Sequence, residues 1–222
     1  MDIPLWKKWL SYITPVTLEE TSSDHNPELT VMLDRGRVQL LSGDAIYSWD
    51  DLYHNFTKAF NQIQPAQYGY QDVLLLGLGL GSVPFILEKM HGLKYHYTAV
   101  EWDEAIIDLA DRYTFSRLES SVEMITADAA VFVEVCEEEF DLIIIDLFED
   151  SRMPAEFETT EFLEACVSML HPEGMILINR LSRTHQDKVR SERYYENVFQ
   201  KSLHGAWQID TDGNMILCWK KK

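Results

Sequence analysis

Val73-Leu-Leu-Leu-Gly-Leu-Gly-Leu-Gly-Ser82 sets the architecture of this chain. Four large aliphatics break into Gly-x-Gly-x-Gly and then open a helical pattern over residues 82–90. An apolar run this unbroken suits a strand buried on both faces of a parallel sheet. Gly77, Gly79 and Gly81 let the backbone turn sharply and approach a ligand where a Cβ would collide. Glu101 closes a second strand-like run, 95–100, and stands 20 residues beyond Gly81 (101 − 81). A strand-end carboxylate facing an open crevice accepts hydrogen bonds from both hydroxyls of a ribose. The expectation is a bound nucleoside.

Outward from this motif, strands are expected at 73–76, 95–100, 122–126, 140–145 and 174–179. Helices are expected at 82–90, 103–113, 128–136, 158–170 and 185–201. Strict alternation predicts a doubly wound, mainly parallel α/β sheet with right-handed crossovers. Residues 206–210 and 214–219 enclose Asp212-Gly213, a tight-turn signal, so the sheet of seven strands should end in an antiparallel hairpin. Ahead of the core, Pro4 to Ile13 reads as an amphipathic helix with Leu5, Trp6, Trp9, Leu10 and Ile13 on one face. Residues 29–33 and 38–41 flank Asp34-Arg35-Gly36-Arg37 as a β-hairpin, and Asp51 to Ile63 follows as a helix. The division expected is a small N-terminal helix and hairpin module, 1–64, and a nucleoside-binding α/β domain, 70–222.

At 222 residues and 46% hydrophobic, the chain can bury a sizeable core. A formal charge of −18 argues against a polyanionic partner such as nucleic acid, because no basic patch displaces counterions. Cys136, Cys166 and Cys218 lie far apart in apolar contexts, which points to core residues rather than a disulfide or metal site. With no signal peptide and no long apolar run, the expectation is a soluble cytoplasmic protein without a membrane partner, and a homodimer is compatible with it.

Two ligand classes share a strand, a glycine loop, a helix and an acidic residue on the second strand. A dinucleotide motif wants a third glycine at the position of Ser82, whereas Gly-x-Gly-x-Gly is typical of proteins that bind S-adenosyl-L-methionine. Asp128 sits where the third strand hands over to a helix. It is placed to accept from an adenine amine and also to cap that helix, two roles that can hold at once, with Ala129 beside it. Phe140-Asp-Leu-Ile-Ile-Ile-Asp146 is an apolar strand ending in a carboxylate, and strand ends on that side of an open α/β sheet face the ligand crevice.

Residues from about 29 to 180 resemble the spermidine/spermine synthase family, the aminopropyltransferases and their methyltransferase-like relatives. The likeness rests on Leu76-Gly-Leu-Gly-Leu-Gly81, Ala99-Val-Glu-Trp-Asp103, Ala127-Asp-Ala129 and Asp141-Leu-Ile-Ile-Ile-Asp-Leu-Phe-Glu149. It continues through Pro154, Thr160-Glu-Phe162 and Leu170-His-Pro-Glu-Gly174, and Asp50-Asp-Leu-Tyr-His54 stands where the family has an acidic stretch ending in Tyr-His-Glu. The resemblance implies a class I methyltransferase-like Rossmann fold. It implies that Glu101 holds the ribose, that Asp128 holds the adenine, and that Asp146 orients or deprotonates an attacking amine. Glu149 and Tyr53 would join Asp146 in catalysis.

The chain departs from the family at two anions. Leu80 replaces the Asp of Gly-Gly-Gly-Asp-Gly, and Asn55 replaces the Glu of Tyr-His-Glu. Enclosing a dication needs paired carboxylates. The leading expectation is therefore methyl transfer from S-adenosyl-L-methionine to a small acceptor, cationic ones included. The alternatives are a polyamine aminopropyltransferase using decarboxylated S-adenosylmethionine, in which Asp50, Asp51 or Asp150 replace the lost anions, and a non-catalytic adenosyl-binding protein. Tyr47, Trp49 and Tyr53 form a candidate aromatic wall for a cation, and the loop 147–157 a candidate lid.

Overall fold

A computed structural model describes residues 3–43, 45–148 and 152–222. In chain order its elements begin with α1 (Leu5–Leu10), β1 (Val16–Thr21), β2 (Leu29–Asp34), β3 (Arg37–Ser42), β4 (Ala45–Trp49) and α2 (His54–Ile63). There follow β5 (Asp72–Leu76), α3 (Ser82–His91), β6 (His96–Glu101), α4 (Glu104–Tyr113), β7 (Ser121–Thr126), α5 (Ala129–Val135) and β8 (Phe140–Ile145). The last are α6 (Thr160–Ser168), β9 (Leu170–Leu181), α7 (His185–Tyr194), β10 (Trp207–Asp210) and β11 (Asn214–Lys220). The chain folds into two compact units, the first Met1–Tyr53, Leu78–Lys94 and Asp103–Ser120, the second His54–Gly77, Tyr95–Trp102 and Ser121–Lys222.

In the first unit β1 to β4 form an antiparallel sheet in sequential order. Alternation along β2 buries Leu29, Val31 and Leu33, and these pack with Val38, Leu40, Ile106, Leu109 and Tyr113. Leu80 is part of this core at 1% exposure. The hairpin expected around Asp34-Arg35-Gly36-Arg37 is β2–β3, but β1 and β4 flank it where no strand was expected. α1 is shorter than expected and has no buried residue. Trp9 is 76% and Ile13 85% exposed, so the apolar face faces away from this unit's core. At the end of α3, Glu88 accepts from the backbone N–H groups of Glu119 (2.9 Å) and Ser120 (2.8 Å) and from Lys89 Nζ (2.7 Å). Burial alone would raise its pKa, but these donors outweigh it and lower it to about 2.

The second unit holds a seven-stranded sheet in the order β10-β11-β9-β8-β5-β6-β7. β9, β8, β5, β6 and β7 are parallel, while β11 runs antiparallel to β9 and to β10. The expected terminal hairpin is present. Its core stacks Leu74, Leu76, Ile143, Ile145, Ile176, Ile178 and Leu217, all at most 1% exposed, and each such side chain contributes roughly 1.5–3 kcal/mol. Cys166 and Cys218 are buried as expected, and Cys136 is half-buried. Several helix bounds differ from expectation, two of them with a local cause. α2 begins at His54 because Asp50–Leu52 forms a separate 3-10 turn. α6 stops at Ser168 and β9 begins at Leu170; the register shift between Phe140 and Leu142 accommodates His171 to Gly174, so Pro172 lies within a strand. No helix among the described residues is long and apolar enough to cross a membrane.

Candidate active site

The carboxyl ends of four parallel strands lie side by side in the second unit. Asp146 N–H donates to the Leu76 carbonyl (2.8 Å), Gly77 N–H to the Val100 carbonyl (2.9 Å) and Ala127 N–H to the Glu101 carbonyl (3.1 Å). These bonds align the exits of β8, β5, β6 and β7 along one edge of the sheet. Gly77 has φ +87°, and a Cβ there would collide with the Asp146 carbonyl oxygen. Only glycine lets β5 turn beneath the exit of β8.

Among the described residues, Glu101, Asp128 and Asp146 are carboxylates at these strand ends. Glu101 ends β6 at 8% exposure, and its Oε1 accepts from Trp102 N–H (3.0 Å). This corrects the expectation of a carboxylate facing an open crevice: it lies largely within the fold. Asp128 is exposed, and its Oδ1 accepts from Ala130 N–H (2.7 Å) and Val131 N–H (3.2 Å), so the helix-cap reading holds. Ala129 is buried in the second unit's core.

Asp146 is half-buried at the end of β8. Its Oδ1 accepts from Asn179 Nδ2 (2.7 Å), and Asn179 Oδ1 in turn accepts from Asn214 Nδ2 (2.9 Å). Asn179 is fully buried. A chain of amides thus crosses from β11 through β9 to β8 and fixes one oxygen of the carboxylate. Sequence reasoning missed both asparagines. The available signal was a polar residue closing the otherwise apolar run Met175-Ile-Leu-Ile-Asn179.

The other expected site residues fall in the first unit or outside the described residues. Gly79 and Gly81 have φ of +51° and +83°, and Gly81 immediately precedes α3. Tyr53 is half-buried between the 3-10 turn and α2. Asp50 is buried and bound by Arg117 at 2.7 and 3.1 Å, and Asp51 is held by Arg37 at 2.9 and 3.1 Å. Both acids proposed as replacement anions are therefore already paired with arginines. Tyr47 belongs to the first core and donates to Asn26 Oδ1 (3.2 Å), while Arg35 lies over the Trp49 ring. Glu149 and Asp150 lie outside the described residues, as does part of the expected lid.

A mainly parallel seven-stranded sheet with a glycine loop after one central strand and an antiparallel terminal hairpin is the class I methyltransferase-like Rossmann fold. The spermidine synthase of Thermotoga maritima superposes with a TM-score of 0.71 over 93% of this chain and 73% of that one, at 17% identity. A model of the spermine/spermidine synthase domain matches residues 64–206, and the chain belongs to that family. It is 29% identical over 150 residues to the polyamine aminopropyltransferase of Vibrio vulnificus, covering 66% of this chain and 50% of the relative. It is 30% identical over 164 residues to polyamine aminopropyltransferase 2 of Hyperthermus butylicus, covering 69% and 52%. The chain spans about half the length of these curated relatives.

Proposed function

We propose that this chain transfers an aminopropyl group from decarboxylated S-adenosylmethionine to a small amine. The observation that carries the reading is Asp146, an amide-anchored carboxylate at the end of β8 in a chain of the spermine/spermidine synthase family whose relatives include polyamine aminopropyltransferases by name. The nucleoside's sulfonium supplies the electrophilic carbon. The amine nitrogen attacks that carbon, the carbon–sulfur bond breaks, and its electron pair stays on sulfur. An amine is protonated near neutral pH and must shed a proton before it can attack. Asp146 accepts that proton while Asn179 holds its other oxygen in place. Glu101 and Asp128, acceptors at the ends of neighbouring strands, would take the ribose and the adenine, while Gly77 lets the Asp146 backbone pass close to the glycine turn.

Methyl transfer from S-adenosyl-L-methionine is the second reading. It is favoured by Leu80, which packs in a core where the family's Asp would offer charge. Incubating the protein with either nucleoside and a panel of amines, followed by chromatography, separates the two. Amine-dependent release of 5′-methylthioadenosine supports aminopropyl transfer. Amine-dependent release of S-adenosylhomocysteine supports methyl transfer, and release of neither refutes both.

A further inference from the structure

Asn55 lies in the first turn of the 10-residue helix α2 at 5% exposure, and among the described residues neither its Nδ2 nor its Oδ1 has a hydrogen-bond partner. Leaving one buried polar atom unpaired costs about 1–3 kcal/mol. An amide with both ends unpaired calls for a partner that the described residues do not supply. Three residues along the helix, Lys58 forms an ion pair with Asp212 in the β10–β11 turn. Two residues beyond Asp212, Asn214 begins the amide chain that ends on Asp146. Asn55 is thus held at the same edge of the second unit's sheet as Asp146.

The chemistry of the amide selects the group it takes. An ammonium would satisfy Oδ1 and leave the Nδ2 donors unpaired. It would also sit beside the positive end of the α2 dipole. A carboxylate would satisfy Nδ2 and leave Oδ1 unpaired. A hydroxyl or a carboxamide donates and accepts at once, and satisfies both atoms without burying a charge.

We infer that Asn55 recognises the distal end of the acceptor, and that this end is an uncharged donor–acceptor group, so the acceptor is an amino alcohol or amino amide rather than a diamine. The inference rests on the transfer reading above and names the substrate class for that site.

The test compares 4-aminobutan-1-ol with 1,4-diaminobutane, which match in length and differ only at the distal group. Each is titrated calorimetrically into the full chain saturated with 5′-methylthioadenosine. The amino alcohol is expected to bind about tenfold tighter than the diamine. Asn55→Leu, nearly isosteric, is expected to lose about tenfold in amino alcohol affinity. Asn55→Asp is expected to invert the preference, and thermal melts of both variants check that they fold. Equal or tighter diamine binding by the unaltered protein overturns the inference. So does binding of neither compound, which would leave Asn55 only hydrated, and so does unchanged amino alcohol affinity in both variants. Failure of the transfer reading looks different: the amino alcohol binds through Asn55, yet neither nucleoside is turned over.

Discussion

Replacing Asn179 by Ala tests whether the amide chain holds the Asp146 carboxylate. The side chain is fully buried, donates to Asp146 Oδ1 at 2.7 Å and accepts from Asn214 Nδ2 at 2.9 Å. The bond to the carboxylate is charge-assisted and contributes about 1.5–3 kcal/mol, while the neutral amide bond contributes about 0.5–1.5 kcal/mol. Asn179→Ala should therefore cost roughly 2–4 kcal/mol in urea unfolding. Total destabilisation alone does not identify the interaction, because truncating any enclosed residue costs something. The deciding quantity comes from a double-mutant cycle of Asn179→Ala with Asp146→Ala, whose coupling should be about 1.5–3 kcal/mol. Asn214→Ala should cost less, about 1 kcal/mol, because it removes only the outer link. A coupling below about 0.5 kcal/mol would mean that the two side chains are merely adjacent, and the positioning role would be withdrawn. In a turnover assay the same variant should lower kcat about tenfold or more while nucleoside affinity stays within a few-fold, since orientation is lost and the nucleoside contacts are not.

Asp146→Asn should keep nucleoside binding within a few-fold and abolish turnover. The new amide can turn its oxygen toward Asn179 and preserve the chain, but it cannot take a proton; a comparable loss of nucleoside affinity would show that the carboxylate binds rather than reacts. Asp128→Ala should lower thermal stability by about 1 kcal/mol through loss of the α5 cap, and should also weaken nucleoside binding in a calorimetric titration; unchanged nucleoside affinity would restrict Asp128 to capping. Glu101→Ala should cost about 2–4 kcal/mol of nucleoside affinity if the carboxylate holds two ribose hydroxyls. Because Glu101 is largely enclosed and bonded to Trp102 N–H, it should also cost about 1 kcal/mol of stability, measured by urea unfolding. Glu88 has a folded pKa of about 2 against an ordinary 4.5, so its stabilisation is complete above pH 4.5 and is lost as pH falls toward 2. The stability gap between the unaltered protein and Glu88→Gln should be constant at neutral pH and close across that acid window; a gap independent of pH would show that the charge contributes nothing.

What the sequence made legible follows from how local its causes are. The strands β5, β6, β7 and β8 were expected within a residue: β5, β6 and β8 are mostly enclosed runs, and burial on both faces leaves no other reading of them, while β7 alternates at the sheet edge. The tight turn at Asp212-Gly213 was equally local: Asp212 has φ +58° and Gly213 φ +115°, conformations that these residue types adopt readily. β1 and β4 went unseen for the opposite reason. No residue of Val16-Thr-Leu-Glu-Glu-Thr21 is fully buried, and the strand exists because β2 presents a partner edge. α1 misled in the other direction, since a helical apolar stripe guarantees a helix face and not the surface that covers it.

The site divides along the same line. Gly77, Glu101, Asp128 and Asp146 could be found because a residue at a strand end is placed by its own strand, and parallel order puts the ends together. Asn179 and Asn214 depend on the antiparallel register of β9 and β11, in which Asn214 faces Leu181 and Ile216 faces Asn179. A one-residue slip of that pairing would turn the asparagine side chains to opposite faces. Their role therefore has no local signature. Asn55 carries the same lesson for specificity: the sequence shows that an acidic residue is absent, while the structure shows an enclosed amide with both ends unpaired among the described residues. An absent charge argues only against a dication, whereas an unpaired donor beside an unpaired acceptor states which chemical group would complete the site.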